Sequence, residues 1–310
     1  MEHPYWTDLL RDVLPGRVEK PRISGLTMVI DGGLPIAQMR GLFELAASHI
    51  DYWKLGYGSA MVCPGHRIQD KISLCQEYDI LAYPGGTTFE IAFSQGVWKE
   101  YLEALWYNGI RAVEVSDGSI HVSPAKRREV IQRARQMGFK VLAEVGKKDA
   151  TMPISLQEQV RVMKSDLSNG ADYVIVEARE SGRGIGIYDA DGQIRESDVA
   201  FMVAGLGSLS TRVFWEAPLL SQQISHIRRF GHKVNLGNVH PGDIIAVESL
   251  RRGLRWDTMA VSGAAGHQAT QGASMGGDIL SEEGTLSRED KDSDGPGPTL
   301  WVDSKPRKHK

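Results

Sequence analysis

Three things are scarce in this chain of 310 residues: cysteine, unbroken apolar sequence and net charge. Only Cys63 and Cys75 occur, with neither the paired spacing of a zinc site nor the density of a disulfide framework. A reducing, cytoplasmic compartment suits such a chain best. No stretch approaches the roughly 18 consecutive apolar residues that a membrane-spanning helix needs. The first residues, with Glu2, Asp8, Arg11 and Asp12, lack the apolar core of a secretory signal. A formal net charge of -3 gives no global attraction to nucleic acid or a membrane surface, so neither is an expected partner. An anionic ligand must be drawn by local clusters of Arg and Lys.

What is present is an ordinary globular composition, 41% hydrophobic and 24% charged, enough to bury one large core or two smaller ones. Residues 1–22, with Pro4, Pro15 and Pro21, read as an irregular lead-in with a short helix. Short apolar runs then alternate with segments of helical spacing. The predicted strands are 26–30, 50–58, 80–86, 112–118, 139–147, 173–178, 213–216 and 233–236, with helices among others over 65–77 and, as one long piece, 87–107. Eight such strands imply parallel pairing with crossover helices, and over residues 23–261 they fit a closed (β/α)₈ TIM barrel. A doubly wound open sheet is the alternative, but its dinucleotide fingerprint is missing from the first strand-helix turn; the one Gly-x-Gly-x-Gly, Gly182 to Gly186, follows the sixth strand. Residues 262–310, rich in Gly, Ser and charge, read as a disordered tail.

In a barrel the C-terminal strand ends converge on one mouth. Here they offer Asp31, Lys54, Glu114, Ser116, Asp117, Glu144, Lys147, Glu177, Arg179 and Glu216. Each carboxylate taken singly is as well explained by an inward layer residue paired with a lysine. Together, Glu114, Glu144 and Glu177 on neighbouring strands suggest a hard cation such as Mg²⁺. For an anionic substrate the candidates are Lys54, the loop residues Arg179, Ser181 and Arg183, and Gly237 and Asn238 after the last strand, near a helix start at Pro241. Lys147, after Glu144 and Gly146, is the candidate acid/base, with Lys148 as its neighbour or a solvated bystander. Arg251, Arg252 and Arg255 lie on or after the last helix, where Glu248 is spaced for a surface pair with Arg252.

The series Lys54-Leu55-Gly56-Tyr57-Gly58, Tyr83-Pro84-Gly85-Gly86-Thr87, Glu114-Val115-Ser116-Asp117-Gly118, Glu144-Val145-Gly146-Lys147-Lys148, Arg179-Glu180-Ser181-Gly182, Glu216-Ala217-Pro218 with Ser221-Gln222-Gln223, and Ser249-Leu250-Arg251-Arg252-Gly253-Leu254-Arg255 resembles the phosphosulfolactate synthase family. The match runs in order over about residues 22–259. The resemblance implies a (β/α)₈ barrel that adds sulfite to phosphoenolpyruvate with Mg²⁺, giving 2-phospho-3-sulfolactate, the first step toward coenzyme M. It also implies that Lys147 is the catalytic acid/base. The family pattern has Asp-Lys-Gly where this chain has Asp31-Gly32-Gly33, and a lysine in the Gly-rich loop where it has Ile185. Two other readings stand beside it: a Schiff-base aldolase using a strand-end lysine, and a non-catalytic barrel of the plant heat-stress-associated type. Exposed helices suit a homo-oligomer, which is expected without an assignable interface.

Overall fold

The structure, a computed structural model, describes residue 6, residues 9–149 and residues 154–259; the expected tail, 262–310, lies outside them. Its strands are β1 (Thr27–Asp31), β2 (Tyr52–Leu55), β3 (Leu81–Pro84), β4 (Ala112–Val115), β5 (Lys140–Val145), β6 (Tyr173–Val176), β7 (Val213–Glu216) and β8 (Asn235–Val239). The helices between and after them are α1 (Ile36–Ala46), α2 (Ser59–Val62), α3 (Gly65–Glu77), α4 (Gly86–Ser94), α5 (Trp98–Tyr107), α6 (Pro124–Gln136), α7 (Leu156–Ser168), α8 (Glu196–Leu206), α9 (Leu220–Phe230) and α10 (Ile244–Arg251). All ladders are parallel, in the order β3-β2-β1-β8-β7-β6-β5-β4. The ends of that order, β3 and β4, lie side by side and complete a (β/α)₈ barrel. No ladder joins them among the described residues. The seam is bridged instead by the Gly86 amide, which donates to Glu114 Oε1 at 2.6 Å.

Three expectations need correction. The helix foreseen over 87–107 is two helices, because Gly96 takes a left-handed φ of 77° and ends α4 with a conformation that other residues resist. The last strand begins and ends later than 233–236, so Gly237 lies inside β8; the Asn235 side chain anchors its start, accepting from the Leu26 amide and donating to the Thr211 and Val213 carbonyls. Arg252 does not pair with Glu248. It reaches Asp12 at 2.7 Å, and Glu248 takes Arg17 at 3.0 Å. These pairs, with Arg22 on Asp51 at 2.9 Å, tie the lead-in across the barrel floor, and the lead-in has no helix among its described residues.

Side chains alternate across a strand with period two, so residues two apart share a face. Inside the barrel Tyr52, Tyr173 and Phe214 meet edge to face, with centroids 5.3 to 6.4 Å apart. Two residues beyond Tyr52 and Phe214 stand Lys54 and Glu216, so an aromatic layer carries a charged layer above it. Asp31 belongs to a separate knot. It is fully buried and accepts from Lys71 Nζ at 2.5 Å, Trp53 Nε1 at 3.0 Å and the amides of Gly33 and Leu34 at 2.7 and 2.6 Å.

Asp31 thus secures the β1-α1 turn and α3 to the barrel wall. Removing one member of a buried pair leaves the other charge uncompensated, so Asp31→Ala is expected to cost about 3–5 kcal/mol in urea unfolding. The double variant Asp31→Ala/Lys71→Met should recover part of that loss; a single-variant loss below about 1 kcal/mol would reduce the knot to a surface-type pair.

Candidate active site

A cavity of about 310 Å³ opens at the strand ends and is lined by Lys54, Glu114, Glu144, Glu177, Glu216, Lys148, Arg179 and Asn238, among others. At its floor the Lys54 ammonium, only 6% exposed, lies 3.0 Å from Glu114 Oε2, 3.1 Å from Glu216 Oε1 and 3.4 Å from Glu144 Oε2. Burial opposes that charge, yet Glu114, Glu216 and Glu144 raise the Lys54 pKa well above its ordinary value. Glu216 also accepts from the Ala178 amide at 2.9 Å, and Glu177 from the Arg179 amide at 2.6 Å.

The second ammonium at this mouth belongs to Lys148. Its Nζ is 3.1 Å from Thr87 Oγ1, 3.3 Å from Glu90 Oε1 and 3.4 Å from Glu144 Oε1. Burial again works against the charge, and Glu144 followed by Glu90 outweighs it, so the Lys148 pKa is raised. Lys147, the expected acid/base, is turned away from the cavity. Its Nζ donates to the carbonyls of Asp117 and Ile120 at 2.5 and 3.1 Å and lies 3.3 Å from Asp117 Oδ2. The physical reason is Gly146, with φ at 138° and Glu177 Cβ only 2.7 Å from where its own Cβ would stand. Strand alternation stops there, and a Gly-Lys-Lys sequence by itself does not say which ammonium faces the mouth.

Of the other expected residues, Lys54, Arg179 and Asn238 line this cavity. Asn238 has a left-handed φ of 52° and a buried Oδ1 without a partner among the described residues. Gly237 is part of β8 and does not line it. Ser181 and Arg183 line an adjoining cavity of about 520 Å³ with Lys148, Asp149 and Arg179. Both departures from the family pattern border these spaces: the Tyr57 ring lies 3.1 Å from where a Cβ at Gly32 would stand, and Ile185 lines the second cavity. Glu90, on α4, escaped sequence reasoning. It is 2% exposed and takes the Ser116 hydroxyl at 2.6 Å, which also lies 2.7 Å from Glu144 Oε1. Its one signal was an acidic residue amid the apolar Phe89, Ile91, Ala92 and Phe93.

Two ammonium ions do not neutralise the carboxylates around them. Glu144 is held well below the usual carboxylate range, because Lys148 and then Lys54 outweigh its burial. Burial pushes Glu114 up to about 8 against the pull of Lys54, with Glu144 and Glu216 adding to the rise. Glu177 is raised by burial and then by Glu144 and Glu216, and Glu216 by burial against Lys54. A carboxyl whose folded pKa is raised adds stability that is complete below its unfolded pKa and is lost as pH climbs to the folded one. For Glu114 that window runs from about pH 4.3, the ordinary glutamate value, to about 8; Glu144, shifted the other way, acts only below the window. In a chelator, then, the thermal midpoint should fall across this window, and Glu114→Gln should flatten the fall. An unchanged slope in the variant would remove Glu114 from the charge imbalance.

Residues 15–257 match the family described as (2R)-phospho-3-sulfolactate synthase (ComA). A phosphosulfolactate synthase of Methanocaldococcus jannaschii is 40% identical over 236 residues, covering 76% of this chain and 93% of that protein. One from Methanothermobacter thermautotrophicus is 40% identical over 247 residues, covering 79% and 95%. A third, from Bacillus subtilis, is 35% identical over 247 residues, covering 79% and 96%. The matched span runs from the end of the lead-in through α10 and so takes in every strand and every residue of the mouth. With that extent of agreement, the chain belongs to the phosphosulfolactate synthase family.

Proposed function

We propose that this barrel adds sulfite to phosphoenolpyruvate, forming 2-phospho-3-sulfolactate, the reaction that would open a route to coenzyme M. The observation that carries this reading is the pairing, at one strand-end mouth, of surplus buried carboxylates with a lysine ammonium beside a second, basic cavity. In the reaction the sulfur lone pair of sulfite forms a bond to C3. The C2–C3 π electrons move onto C2 and into the carboxylate, and the resulting enolate-like dianion takes one proton at C2. A positioned ammonium delivers that proton.

Lys148 suits this role. It lines both cavities and, with its pKa raised by Glu144 and Glu90, it meets substrate as the charged acid. Ser116 and Glu90 hold the carboxylate side of that contact in place. Lys54, buried among three carboxylates, holds positive charge at the cavity floor. A Schiff base requires a neutral amine, and the carboxylates around Lys54 and Lys148 favour the charged form of both.

The chemistry of the donors fits a hard cation, which binds through oxygen. Glu177 Oε2 is buried without a hydrogen-bond donor among the described residues and Glu114 Oε2 faces the Lys54 ammonium at 3.0 Å, whereas both oxygens of Glu144 are engaged by Ser116, Lys54 and Lys148. No ready-made group of three His, Cys, Asp or Glu side chains is found among the described residues, and Lys54 lies among three of the carboxylates. Glu114, Glu177 and Glu144 would hold a magnesium ion, which would supply electrostatic stabilisation of negative charge developing on the substrate carboxylate. An acidic mouth admits a multiply charged anion only when further positive charge accompanies it.

Incubating the protein with phosphoenolpyruvate, sulfite and Mg²⁺ and weighing the product by mass spectrometry tests the reading; absence of the sulfonated adduct at all protein concentrations would overturn it. Chelation should stop turnover and added Mg²⁺ restore it. Lys148→Arg keeps the charge but gives up no proton in this pH range, so its kcat should fall by about two to four orders of magnitude. Lys147→Arg should lose much less. The reverse order would return the donor role to Lys147.

A further inference from the structure

The two cavities that meet at Lys148 and Arg179 have opposite character. Glu114, Glu144, Glu177 and Glu216 face the first. Among the described residues Lys148, Arg183 and Arg179, the last paired with Glu180 at 3.3 Å, face the second, with Asp149 the carboxylate in its lining. The guanidinium of Arg183 has no ion pair or hydrogen bond among the described residues, nor do the amides of Ser181, Gly182 and Arg183. The loop that carries them is nonetheless held firmly. Gln222 Nε2 donates to the carbonyls of Gly182 and Gly192 at 2.7 and 3.0 Å, the Gly184 amide donates to Asp189 O at 2.7 Å, and Arg195 reaches Tyr188 O at 2.7 Å. The loop therefore presents donors without acceptors from a supported backbone, which is the arrangement that recognises a doubly charged oxyanion.

Both reactants of the proposed addition carry such a group, and the covalent structure of the enol ester decides between them. The carbon that accepts the proton, C2, is also the carbon that bears the phosphate ester. If Lys148 protonates C2, the phosphate lies one ester bond from the wall that the two cavities share. The carboxylate on the other side of C2 then turns toward the acidic cavity, where Glu114, Glu144 and Glu177 would hold a cation. Sulfite reacts at C3, a carbon further from the ester oxygen. The other stretch with anion-binding character, Gly237 and Asn238, adjoins the Glu216 side chain and brings no cationic side chain of its own.

We infer that the second cavity is the seat of the phosphate of the enol ester, with Arg183 and Arg179 as its recognition residues. This deepens the reading given under Proposed function and rests on it. Arg183 is the informative position, since it is exposed and supports no other side chain.

The test measures equilibrium binding of phosphoenolpyruvate, of inorganic phosphate and of sulfite, each alone with Mg²⁺, to the full chain and to Arg183→Gln and Arg183→Lys. Arg183→Gln should weaken phosphoenolpyruvate and inorganic phosphate by about 10- to 100-fold, the span for losing a charged hydrogen bond, and leave sulfite within about twofold. Arg183→Lys, which keeps the charge without the fork, should fall between. In turnover the KM for phosphoenolpyruvate should rise far more than kcat falls. Weakening of sulfite alone would give the cavity to sulfite and overturn the assignment, as would equal affinity of variant and parent for all ligands. Because binding is read without turnover, the two readings separate. A parent that binds phosphate through Arg183 but makes no adduct keeps the seat and loses the reaction, and one that makes the adduct with Arg183-independent binding does the opposite.

Discussion

The shortage of positive charge at the barrel mouth is the constraint on which the rest of the site depends. Glu90, Glu114, Glu144, Glu177 and Glu216 are all buried there, and Lys54 and Lys148 are the ammonium ions in reach of them. Desolvated carboxylates at this density are tolerated when they are protonated, paired or bound to a cation. The structure uses the first two devices unequally. Glu144 has both lysines and Ser116 and stays charged, while Glu114, Glu177 and Glu216 are pushed toward the neutral form. Such a mouth is poised toward any ligand that brings positive charge with it.

The imbalance is maintained by the register of the sheet. Glu114 pairs with Leu142 and Glu144 with Ile175, so each acidic residue projects a step along from an apolar neighbour and the acids climb around the mouth. The aromatic layer of Tyr52, Tyr173 and Phe214 beneath them excludes water from below. Packing therefore helps set the electrostatics. The same closed floor keeps Lys54 dry enough for its three ion pairs to matter.

Much of this was legible in the sequence, and the failures share a cause. Short β-branched runs ending in Glu or Lys marked the strands, and the acids fell at the mouth because period-two alternation is local. Which lysine of the pair faces the mouth was not legible because Gly146 breaks that alternation, and the neighbouring Glu177 side chain and the 117–120 segment decide where each ammonium goes. Glu90 had only its apolar neighbours on α4 to mark it, because its partners, Ser116 and Lys148, come from the strand ends that α4 overlies. Arg252 chose Asp12 over Glu248 across 240 positions of sequence, a contact that no spacing rule reaches. The split of the 87–107 helix, by contrast, had its signal in plain view at Gly96.

The seam between β3 and β4 gives the site a mechanical side. Where every other pair of neighbouring strands is laced by main-chain bonds, this pair is fastened by Glu114 reaching the Gly86 amide. Glu114 is also one of the acids that borders the cavity. A cation that recruited this carboxylate would draw on the same oxygen pair that clasps the barrel, and occupancy and closure would then be coupled through one side chain. The barrel is in this sense a ring with a clasp, and the clasp opens onto the cavity.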